Sequence, residues 1–150
     1  MDGVRKTLLM IPSHLIKLIE KQPGDIHRAH KDSVVDALNI LDISLDSEIG
    51  EFFLNYTIAF FQGNTSNIEL LDIVEPSNEI EACTDFIHEV WELPENFISL
   101  TGIQGEGCYL YDKNNGEVLD FDLAKRDEFL AGEHQLKWKS FFEFLTWYLS

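Results

Sequence analysis

Apolar residues recur at helical spacing in several stretches of the chain. In "PSHLIKLIEKQ", Leu15, Ile16 and Ile19 share a face, Ser13 stands where an N-cap belongs, and Pro23-Gly24 ends the run, which predicts a short helix. Through "RAHKDSVVDALNIL", Val34, Val35, Leu38 and Leu41 form a second stripe. "LDSEIGEFFLNY" places Ile49, Phe52, Phe53 and Tyr56 at i, i+3, i+4 and i+7, with Asp46 as the expected cap. "TIAFFQGNTSNIELLDIVEP" changes character: β-branched and aromatic residues flank a polar turn, which predicts strand, loop, strand. Ser77 after Pro76 is then expected to cap a helix in which Ile80, Cys83, Ile87 and Val90 align, stopped by Pro94. "NFISLTGI" reads as a strand. The closing "KWKSFFEFLTWYLS" carries Trp138, Phe141, Phe142, Leu145 and Leu149 on one stripe, widened by Phe144, Trp147 and Tyr148, so this helix belongs to the core.

Between the last strand and the last helix lies "GEGCYLYDKNNGEVLDFDL", where alternation replaces helical spacing. Asn115-Gly116 is a strong signal for a two-residue hairpin turn. Centring the turn there puts Leu110 opposite Phe121 and Cys108 opposite Leu123 on an apolar face. Tyr109 then faces Asp122, and Tyr111 faces Asp120, on the other. Two readings of that second face stay open: solvated cross-strand pairs that improve a sheet, or a docking surface. Gly105-Glu106-Gly107 reads as a turn or bulge.

Helices, then strands interrupted by one helix, then a terminal helix predict an α+β fold, a central, largely antiparallel sheet packed with helices. At 150 residues the chain is most simply one domain, residues 1–150, with 1–31 as a helical N-terminal extension. A hydrophobic content of 45% argues against disorder. No run approaches the length of a membrane span, and the early "LLMI" lacks the features of a secretory signal. The two cysteines, Cys83 and Cys108, make neither a disulfide framework nor a zinc site and read as buried apolar residues of a cytoplasmic protein.

Charge changes the picture more than composition does. The net charge is −16, and residues 1–31 hold six Lys or Arg against three Asp or Glu. From Asp32 to Asp112 there is no Lys or Arg, against 17 acidic residues. A field of this sign repels nucleic acid and anionic membrane and attracts basic partners. Two patches are candidates for meeting such a partner: the hairpin face with Tyr109, Tyr111, Asp120 and Asp122, and the acidic loop and helix start with Asp72, Glu75, Glu79 and Glu81.

Catalytic chemistry finds little support. Gly102, Gly105 and Gly107 lie between strands with no nearby lysine, which excludes a phosphate loop. His27 and His30 could share a helix face, but no further ligand completes a metal set. His88 reads as a surface or half-buried residue, and His134 sits in a polar "AGEHQ" loop without an evident partner. The acidic residues are too many for any pair to be diagnostic of acid–base work. No cofactor is expected.

Three segments together resemble the SUKH superfamily, bacterial toxin-immunity proteins with fungal cell-wall regulators among their relatives. They are "LDISLDSEIGEFFLNY", "WELPENFISLTGIQGEGCYLYDKNNGEVLDFDL" and the aromatic closing helix, and the likeness spans about residues 38–150. The family often carries Leu-Pro ahead of its "EFF" helix and an Asn-Gly-Gly-like turn after it; this chain has Ser44-Leu45-Asp46 and Gln62-Gly63-Asn64. The resemblance implies helices packed on an antiparallel sheet, no catalysis, and binding that neutralises one cognate toxin, often a nuclease or other nucleic-acid-modifying domain. The fungal relatives imply an alternative, a regulatory scaffold that binds another protein. Oligomeric state is not legible.

Overall fold

The computed structural model describes residues 11–58, 61, 63, 68–75, 77–103, 106–133 and 137–150. Its elements are helices α1 (Ser13–Glu20), α2 (Asp32–Ile40), α3 (Glu48–Asn55) and α4 (Glu79–Glu89), strands β1 (Phe97–Ser99), β2 (Gly107–Asp112) and β3 (Val118–Asp122), a 3-10 turn (Leu123–Lys125), helix α5 (Arg126–Leu130), strand β4 (Lys137–Trp138) and helix α6 (Phe141–Leu149). The sheet is an antiparallel meander in the order β1-β2-β3-β4, and the fold is α+β.

Polar side chains set the helix ends. Ser47, not Asp46, caps α3 by accepting from the Gly50 amide at 3.0 Å, and Asn78, not Ser77, caps α4 by accepting from Glu81 at 3.0 Å. Ser13 is the first residue of α1 and makes no cap; Pro12 precedes it. Ser140 caps α6, and Glu48 of α3 accepts from the Phe142 amide at 2.9 Å, a carboxylate placed on the positive end of a neighbouring helix. Of the strand, loop, strand expected over 57–76, residues 59, 60, 62, 64–67 and 76 lie outside the described residues. The described remainder holds no strand, only an isolated bridge from Leu70 to Thr101. The expected turn at Gly105 is likewise outside them in part, while Gly107 opens β2.

Both faces of the sheet are covered. On one face Ile98, Tyr109, Tyr111 and Val118 join the large cluster built from α1, α2, α3 and α6. On the other, Cys108, Leu110, Leu119 and Phe121 meet Ile87, Trp91, Leu93 and Phe129, so α4, the segment after it and α5 form the opposite cover. The free edge of β1 is sealed by α4: Thr84 Oγ1 accepts from the Ser99 amide at 3.0 Å, and the His88 Nε2 lies 2.8 Å from the Phe97 carbonyl. Those contacts occupy backbone groups that would otherwise invite another strand.

Residues 11–31 belong to this core. Leu15 and Ile19 are fully buried where α1 packs on α6, and Arg28 reaches across to the loop before α4. Its guanidinium donates to Asp72 through both terminal nitrogens, at 3.0 and 2.9 Å, while its Nε donates to the Phe53 carbonyl and its Nη2 to the Tyr56 carbonyl. The cation thus sits where α3 leaves its last carbonyls unsatisfied. Asp72 in turn accepts from the amides of Ile58, Val74 and Glu75. Burial pushes the Asp72 carboxyl upward, but the hydrogen bonds from Arg28 and these amides, with the arginine's charge, outweigh it and hold the pKa below the usual carboxylate value.

Two outcomes follow from this pair. Arg28→Met leaves a buried carboxylate without its cation and is expected to cost about 3–5 kcal/mol in urea unfolding; a loss under about 1 kcal/mol would show the pair to be dispensable. Because the folded pKa is depressed, the contribution of Asp72 is complete above the unfolded carboxylate value and disappears as pH falls through the folded one. The stability gap between wild type and Asp72→Asn should therefore be wide at about pH 7 and narrow in strong acid. A gap that widens on acidification would contradict the depressed pKa.

Candidate binding surfaces

The hairpin register differs from the one centred on Asn115-Gly116. Tyr109 pairs with Asp120, Tyr111 with Val118, Cys108 with Phe121 and Leu110 with Leu119. The loop is longer because Asp112 organises it. Its side chain accepts from the Asn114 amide at 2.9 Å and from Asn96 at 2.8 Å, and its carbonyl accepts from the Gly116 amide at 2.8 Å. Gly116 takes a positive φ of 79°, whereas Asn115 does not, so the two-residue turn, which needs both, is not formed. The pairing moves by two residues, which keeps every side chain on its expected face.

What overturns the expected tyrosine–aspartate docking face is coverage. Tyr109 and Tyr111 are 4% and 5% exposed. Tyr109 packs against Phe144, Trp138 and Trp147 with ring centroids at 5.1, 5.8 and 6.2 Å, and Tyr111 packs on Phe141 at 6.5 Å. The aromatic α6 lies over this face, so the tyrosines are core residues and offer nothing to a partner. Asp120 and Asp122, further along β3, remain exposed. Asp122 accepts from the Ala124 amide at 3.0 Å and caps the 3-10 turn. Burial of part of the Asp120 carboxyl, and then the charge of Asp122, raise its pKa.

The second predicted patch divides in the same way. Asp72 is 3% exposed and committed to Arg28, which removes it from any surface. A buried role was hidden because its partner stands 44 residues earlier. Glu75 is exposed and lies 3.6 Å from Arg28; Glu79 is exposed and Glu81 half-buried in the first turn of α4. The structure therefore leaves Asp120 with Asp122, and Glu75 with Glu79 and Glu81, as two separate groups of carboxylates.

A surface that the periodicity reading passed over lies on the outside of α4. Its core row is Ile80, Thr84 and Ile87, all buried. Cys83 is only half-buried, and Val90, expected on the apolar stripe, is 59% exposed at the C-cap of the helix. Phe86 is 37% exposed and stacks edge-on against Trp91 with centroids 5.5 Å apart. Asp85, Glu89 and Glu92 are exposed around this pair. The helical spacing already places Phe86 away from Ile80 and Ile87, so this much could have been read from sequence.

Other candidate groups are accounted for within the fold. Burial pushes the Cys108 thiol up to about 12 and raises that of Cys83, so neither supplies a thiolate near neutral pH. His27 pairs with Tyr56 in an isolated bridge and, like His30, lies outside any helix, so the two share no helix face. His134 lies outside the described residues. Among the described residues no group of three or more His, Cys, Asp or Glu is placed to hold a metal, and no helix is long and apolar enough to cross a membrane.

The raised pKa of Asp120 carries a sign that can be checked. The folded state holds this proton more tightly than the unfolded one, so the ionised carboxylate weakens the fold at neutral pH, and the penalty fades as pH falls below the unfolded value. Asp120→Asn should raise the melting temperature at about pH 7 and leave it unchanged at about pH 3. A lower melting temperature at neutral pH would mean that the carboxylate stabilises the sheet.

No protein-family model matches the chain, and no curated protein matches it either.

Proposed function

We propose that this chain is a non-catalytic immunity protein that binds and neutralises a basic protein toxin, one that acts on nucleic acid, through its acidic surface. The observation that carries this reading is where the 17 acids of the segment Asp32 to Asp112 lie. Twelve are exposed, three are half-buried, and only Asp72 and Asp112 are buried. Among the described residues, the cations that reach this set are Arg28, paired with Asp72 and Glu75, and Arg126, 3.9 Å from Glu92. Most of this charge therefore faces solvent and, among the described residues, has no cation within ion-pair distance, so it repels itself. Such a surface gains a use when it draws in a partner of opposite sign and rejects nucleic acid.

The toxin as the partner class rests on the likeness of residues 38–150 to the SUKH superfamily, with which the α+β architecture is compatible. A domain that handles nucleic acid is basic around its active site, and an acidic protein can reach and cover that site quickly.

The test is the kinetics of association with the C-terminal domain encoded beside this protein's gene, followed at low and high salt. Binding should be tight, and its association rate should fall as salt rises. Asp120→Lys combined with Asp122→Lys should slow association and flatten the salt dependence, with little change in dissociation. Unchanged kinetics would remove the hairpin from the interface, and no binding to the folded domain would contradict the reading.

A further inference from the structure

We infer that the outer face of α4 is where the partner docks, and that its occupant is a basic protein segment carrying an apolar side chain between lysines or arginines. This rests on the reading that the partner is a basic protein. Ala82 and Phe86 stand at i and i+4 on the side of α4 turned away from Ile80, Thr84 and Ile87, and Val90, the C-cap residue, follows one turn after Phe86; all three are exposed. Scattered exposed apolar residues are ordinary on a protein surface. Here two large ones stand one turn apart, at 37% and 59% exposure.

The Phe86 ring is also held in place. It meets Trp91 edge-on, and Trp91, 7% exposed, leans on Phe121 of β3 at 5.5 Å. The helix itself is fixed to the edge of β1 through Thr84 and His88. An aromatic group presented rigidly at the surface loses little freedom on binding, which is the character of an interface anchor.

The flanks decide the occupant. Residues 79–95 contain six acidic side chains and no Lys or Arg. Asp85 and Glu89 border the apolar row along the helix, and Glu92 stands beyond its end with a φ of 56°, a left-handed conformation costly for glutamate. Arg126 touches this end, but it is engaged with the carbonyls of Trp91 and Glu92 and with Asp127. A second copy of the chain would bring Asp85 and Glu89 against the same residues across a two-fold axis, and like charges would oppose it. A basic segment satisfies both the row and its flanks.

The experiment is an amide-resolved NMR titration of the whole protein with two synthetic probes of equal charge, an amphipathic leucine–lysine helical peptide and an all-lysine peptide. The amphipathic peptide should shift amides centred on residues 82–93 and bind about tenfold tighter than the all-lysine one. Phe86→Ser with Val90→Ser should erase that excess and leave the all-lysine affinity unchanged. Val90→Ser alone, which leaves the Phe86–Trp91 contact intact, should erase part of it. Shifts centred elsewhere, or an excess that survives both substitutions, would overturn the assignment. So would self-association through Phe86 and Val90. Equal, scattered binding of the two peptides would overturn the α4 face and spare the basic-partner reading, whereas no binding of either would sink both.

Discussion

The guanidinium of Arg28, buried beside Asp72, is the interaction on which the rest of the structure depends. It joins three segments far apart in sequence: the strand-like stretch 26–28, the C-terminus of α3 and the loop that leads to α4. Backbone bonds from Arg28 to Asn55 and from Thr57 to Ile26 run alongside it. Neither charge touches water, so each depends on the other and on the surrounding carbonyls and amides for compensation. With the loop fixed by Asp72, the chain enters α4 at a set place, and α4 then closes the edge of β1.

Covering both sheet faces and sealing that edge has a functional consequence. Among the described residues both sheet faces are covered, so a binding partner of the kind proposed would meet helix exteriors and strand ends. The carboxylates there are left to solvent by the same arrangement that buries the tyrosines. Arg28 neutralises Asp72 in the core, and the twelve exposed acids between Asp32 and Asp112 project a field of a single sign. In the proposed function, charge would bring a basic partner in over a distance of about a Debye length, and exposed apolar groups such as Phe86 would hold it afterwards.

Much of the fold was legible in the sequence. The spacing of Ile49, Phe52 and Phe53, and of Phe141, Phe142 and Leu145, marked core helices, and all six residues are buried. The order of elements gave the α+β class. Caps were misplaced by one residue, since Ser, Asn and Asp in a row offer equivalent oxygens and only the geometry of the first turn chooses. The short α5 and β4 have too few residues for a period to show. The tyrosines were misread for a physical reason: alternation says which side chains share a face but not whether a helix lies over it. Asp72 was misread because its cation is distant in sequence, although Arg28 stands near the end of the basic segment, just before the long run without Lys or Arg. A helical projection places Phe86 off the stripe of Ile80 and Ile87, which agrees with its 37% exposure.

The proposed neutralisation of a toxin is most directly tested by expressing the domain encoded next to this protein's gene and, where it cleaves or modifies nucleic acid, titrating this protein into that reaction. Activity should fall linearly and vanish at equal molar amounts, with the protein recovered unchanged from the complex. Full activity in the presence of a large excess of folded protein would contradict the proposed immunity function.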